Sequence, residues 1–121
     1  MTGKQNLSGA AKAWVNFNGV GTIAIRDSFN VSSLTDGGTG IYSISFTTGM
    51  ANTDYCVVAM AEPSFVSGVG NSHYTVIGSN SSTPFVRQTG AAQIKTCFVN
   101  STSAAGYPWD CQAVHVAIFG D

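Results

Sequence analysis

Charge is scarce in this sequence. Asp, Glu, Lys and Arg make up 9% of its 121 residues, against about a quarter in an average soluble domain. The five basic residues, Lys4, Lys12, Arg26, Arg87 and Lys95, are scattered. Phosphate backbones are held by clustered Lys and Arg, so no nucleic-acid partner is expected. The residues that build exposed helix faces are also few: one Glu (Glu62), two Leu (Leu7 and Leu34) and three Lys. Helix is therefore not expected to dominate. No run of 18 apolar residues occurs, which argues against membrane insertion through a helix. Met1 to Asn6 is not followed by the apolar stretch of a signal peptide, so synthesis in a cytoplasm without secretory export is expected.

Cysteine is limited to Cys56, Cys97 and Cys111. An odd count makes a poor disulfide framework, and without a C-x-x-C pair a zinc site is not expected. Buried reduced thiols are the leading reading, with a Cys97–Cys111 bridge open if their strands pair. Two histidines, His73 and His115, are too few for a metal site of their own. No G-x-S-x-G elbow is present, and Gly68-Val69-Gly70 lacks the strand–helix frame of a phosphate loop. Among the acids, Asp36 and Asp54 sit in turn contexts, where Asp serves the backbone. No enzyme activity, cofactor or metal is expected.

What is abundant is β-forming sequence. Val, Ile and Thr supply about a quarter of the chain, and Gly supplies 14 residues. Such runs, punctuated by Gly, Asn and Ser, read as short strands joined by turns. Residues 1–12 are small and polar and read as an arm or linker; residues 13–121 read as one domain. From Ala13 the pattern alternates, with Ala13, Val15 and Phe17 on one face and Trp14 and Asn16 on the other. Asn18-Gly19 then predicts a hairpin over about 13–27. Tyr42, Ile44 and Phe46 alternate with serines, which predicts a half-exposed strand. Tyr55 to Ala61 is apolar on both faces, so this strand is central or has one face covered by another subunit. Further strands are expected at 73–77, around 85–87, at 94–99 and at 114–119. His115 falls on a mostly apolar strand face and reads as a core or interface histidine. Eight to ten short strands without a helix predict an all-β, antiparallel β-sandwich or jelly-roll-like barrel.

Three segments, 62–72, 79–92 and 100–111, read as loops. The last holds Tyr107-Pro108-Trp109-Asp110. Two aromatics and an acid suit a sugar-binding surface, through stacking and hydrogen bonds to hydroxyls. The competing reading is that Trp109 anchors its own loop to the core or to a neighbouring subunit.

Three segments and the chain end carry a family likeness. Lys12 to Gly19, Ile23 to Asp36 and Gly38 to Thr47, with the terminal Val116-Ala117-Ile118-Phe119-Gly120-Asp121, resemble the distal C-terminal domain of bacteriophage tail fibres. Related virion proteins of phages infecting cyanobacteria and other aquatic bacteria carry the same domain. The likeness covers residues 12–60 and the last strand, and fades over 62–112. It implies a non-enzymatic, homotrimeric β-rich module. The expected location is the tail or capsid exterior of a virion, after synthesis in the host cytoplasm. Its partners would be other virion proteins and a host-surface receptor, a glycan or a protein. The region where the likeness fades supplies the candidate receptor-binding residues Phe65, His73, Tyr74, Tyr107, Trp109 and Asp110. The candidate trimer-interface residues are Trp14, Tyr55, Val57 and His115. The alternatives are a capsid or tail decoration protein that stabilises the virion, and a lectin-like carbohydrate-binding module.

Overall fold

The computed structural model describes residues 10–63, 73–77, 87–100 and 103–120. It is all-β: the described residues form nine strands in two antiparallel sheets, and no helix occurs among them. The strands are β1 (Ala13–Asn18), β2 (Ala24–Phe29), β3 (Val31–Gly38), β4 (Ile41–Phe46), β5 (Cys56–Pro63), β6 (His73–Ile77), β7 (Ala91–Asn100), β8 (Ser103–Pro108) and β9 (Cys111–Phe119). One sheet runs β2-β1-β9-β5; the other runs β3-β4-β7-β6, with β8 also paired to β7.

Period-two alternation builds the sandwich. Val15 and Phe17 on β1, Tyr42, Ile44 and Phe46 on β4, and Val114, Val116 and Ile118 on β9 are all buried. They meet between the sheets, where the Phe17 and Tyr42 rings pack edge to face with centroids 5.0 Å apart. Burying a side chain of this size contributes roughly 1.5–3 kcal/mol, so these alternating residues decide which face of each strand turns inward.

The chain crosses from the first sheet to the second at Asn30, which takes a left-handed φ of 56°. Its side chain fixes the corner. Nδ2 donates to the carbonyls of Lys12 and Thr48, both at 2.9 Å, and Oδ1 accepts the Thr48 N–H at 2.7 Å. Asn tolerates this backbone region better than most residues, and the three bonds make it the obligate conformation here.

Among the described residues the strand beginning near Tyr55 lies at a sheet edge, where β5 pairs only with β9, which leaves cover by another subunit as the other reading of its two apolar faces. One expectation changes. Residues 100–111 are not a loop, because Ser103–Pro108 forms β8 and pairs with β7. The three thiols are free, with Cys97 and Cys111 buried and Cys56 exposed.

Candidate functional site: the outer face of the four-stranded sheet

The 107–110 segment is a structural corner. Trp109 packs partly buried against the core. Its N–H donates to the Thr96 carbonyl at 3.1 Å, and its carbonyl accepts the Thr96 hydroxyl at 2.5 Å. Asp110 Oδ1 accepts the Gly40 N–H at 2.7 Å. The Tyr42 hydroxyl lies 3.0 Å from the same oxygen and 2.9 Å from the Gly19 carbonyl, so two acceptors share one proton. Burial, and then the Asp110 carboxylate, push the Tyr42 phenol well above its ordinary value. It is a neutral donor at neutral pH. A carboxylate oxygen committed to two internal donors has little left for a sugar hydroxyl.

The other receptor candidates are placed as follows. Phe65 lies outside the described residues, while His73 and Tyr74 sit on β6 and Tyr107 on β8. Two interface candidates are corrected. Tyr55 is only 2% exposed, and its hydroxyl is bonded to the carbonyls of Gln88 and Ala91, each at 3.0 Å. It precedes β5 and points into the sandwich, where its ring meets Phe46. Val57 also turns inward, because its register partner on β9 is the buried Ile118.

The open surface lies on the other side of the same sheet. Residues opposite one another in an antiparallel register share a face. Trp14 is opposite Phe29 on β2 and Ala117 on β9, and Ala117 is opposite Val58 on β5. One apolar row, Phe29–Trp14–Ala117–Val58, therefore crosses all four strands. Phe29 is 54% exposed, Val58 58% and Met60 64%. A second row, one step along the strands, holds Asp27, Asn16, His115 and Met60. A β-bulge between Asn16 and Phe17 leaves Arg26 as the extra residue of β2. Its guanidinium reaches across β1 to the Gln112 carbonyl at 2.5 Å. His115 Nε2 stands 3.9 Å from Glu62 Oε1, and both side chains are well exposed; such a pair contributes little to stability.

Over the small Ala117 the face dips into a shallow hollow of about 470 Å3, walled by Trp14 on one side and by Val58 and Met60 on the other. Of the four interface candidates, Trp14 and His115 lie on this face. Val58, Met60 and Phe29 complete it, and the sequence analysis missed all three. The alternation of β1 was the available signal for Phe29, since a residue paired with Trp14 must share its side. For β5 there was none, because both of its faces are apolar.

No protein-family model, no curated protein and no solved structure matches this chain.

Proposed function

We propose that the chain is a non-catalytic component of a phage particle, acting at the tail fibre or tail tip in attachment to a host-surface receptor. The tail-fibre likeness of residues 12–60 supports the particle. One structural observation carries the interaction role: a single sheet face exposes Phe29, Trp14, Val58 and Met60 together. Exposed apolar residues scattered singly are ordinary, but a contiguous patch marks a contact surface. Low charge also suits a protein that must hold its contacts in variable salt.

The decoration reading gains from the 107–110 corner. With Trp109 partly packed on the core and the Asp110 Oδ1 committed to Gly40 and Tyr42, these two residues offer less to a glycan. The open surface that remains is apolar and sheet-like, which suits docking onto a protein.

Purified virions labelled with an antibody to this chain test both readings. Label at the tail tip, together with inhibition of phage adsorption by the free protein, is the result expected for attachment. Label over the capsid, with no effect on adsorption, supports decoration. Intact particles that lack the chain would contradict both.

A further inference from the structure

The outer face carries a knob and a hollow on one line of side chains. Phe29 stands out on β2, and Ala117 floors the hollow on β9. Trp14, on β1, lies between them. Neighbouring strands are about 4.8 Å apart, so knob and hollow flank the β1 axis at equal distances. In the next row Asp27 lies on the Phe29 side of Asn16, and His115 lies on the Ala117 side.

We propose that this face pairs with the same face of a second copy about a two-fold axis running along β1. That operation turns the face over and exchanges the two sides of β1. Phe29 of each copy enters the hollow above Ala117 of the other, between Trp14 and Val58. The two Trp14 side chains meet on the axis. The same operation lays the Asp27 carboxylate of each copy over the His115 imidazole of the other, an acceptor facing an N–H donor. An axis across the strands does neither, because it sets Phe29 on Phe29 and Ala117 on Ala117. The steric and the polar complements of the hollow both lie on its own face, which makes the occupant the chain itself. In its own copy His115 Nε2 stands 3.9 Å from Glu62 Oε1, so the incoming Asp27 carboxylate shares that imidazole with Glu62 at the solvent edge of the face.

With the axis on β1 the overlap spans the three strands β2, β1 and β9, so at about 4.8 Å per strand and six residues at about 3.3 Å the shared face is roughly 14 by 20 Å. Two such faces together project onto on the order of 600 Å2, below the range of standard specific interfaces and in keeping with a weak, transient dimer. A dimer that dissociates on dilution follows. The inference goes beyond the virion reading and does not depend on it. It also sets two copies in place of the three that the tail-fibre likeness implies.

Sedimentation velocity of the full chain over a micromolar concentration series tests it, with circular dichroism confirming that each variant folds. A monomer–dimer equilibrium is expected. Phe29→Ala removes the knob and raises the dissociation constant at least about tenfold. Ala117→Leu fills the hollow while adding apolar surface; it weakens the dimer comparably, whereas a face that is merely adhesive would bind more tightly. Asp27→Lys weakens the dimer, and adding His115→Asp to it restores association. A monomer at every concentration, a trimer, or tighter association of Ala117→Leu would overturn the proposal.

Discussion

Asp110 closes the corner between β8 and β9 with a single oxygen, which receives the Gly40 N–H and faces the Tyr42 hydroxyl. Asp110→Ala leaves the buried Gly40 N–H without that acceptor and is expected to cost about 1–3 kcal/mol. Asp110→Asn keeps a carbonyl oxygen in place and should cost less; chemical denaturation of the two variants checks the order. Trp109→Ala, next in sequence, removes a half-buried ring from the core edge. A loss of about 2–3 kcal/mol is expected, less than for a fully buried aromatic. The buried phenols and thiols give a pH dependence. Burial raises the values of Tyr42, Tyr55, Cys97 and Cys111. Their protons are held in the fold and leave the unfolded chain first, from about 9.0 for thiols and 10.0 for phenols. Stability is therefore complete below those unfolded values and falls as pH rises through them toward the folded ones. The melting temperature should be level from about pH 6 to pH 8 and decline above about pH 9. Tyr42→Phe should flatten the part of the decline that lies above about pH 10. A melting temperature unchanged to pH 11 would contradict these assignments.

Among the strands, legibility followed how sharply the two faces differ. β1 and β4 alternate large apolar with small or polar residues, and the inward residues named from the pattern, Val15, Phe17, Tyr42 and Ile44, are buried. β5 carries Val57, Ala59 and Ala61 on one side and Val58 and Met60 on the other, so parity alone could not decide that Val57 faces the core and Val58 faces out. β8, with Ser103, two alanines and Gly106, has weak strand propensity. It is a strand because β7 is ten residues long and offers a partner along its last part. The Asp110 site was half visible: the acid and aromatics were recognisable, but their partners Gly40, Tyr42 and Thr96 come from distant β-structure. Gly40 itself has a φ of +70°, and a Cβ there would run into the Thr96 carbonyl. Gly40→Ala combines a left-handed backbone penalty with that clash and is expected to destabilise by more than about 2 kcal/mol. Thermal unfolding of this variant against Gly90→Ala, at an ordinary φ with open space around the added Cβ, separates backbone strain and clash from a generic glycine effect.

For the molecule as a whole, the two tryptophans report on the two surfaces in question. Trp14 stands on the outer face of the four-stranded sheet, and Trp109 is packed at the corner beside Asp110. Trp109→Phe leaves Trp14 as the sole tryptophan, and Trp14→Phe leaves Trp109. Acrylamide quenching of the two variants, read as a function of protein concentration and of added virion fractions, shows which surface becomes covered. If the outer face is the working surface, Trp14 loses much of its accessibility on association, while Trp109, already packed down, changes little. A Trp14 that stays equally open while Trp109 becomes shielded would contradict that assignment and return the contact to the 107–110 segment.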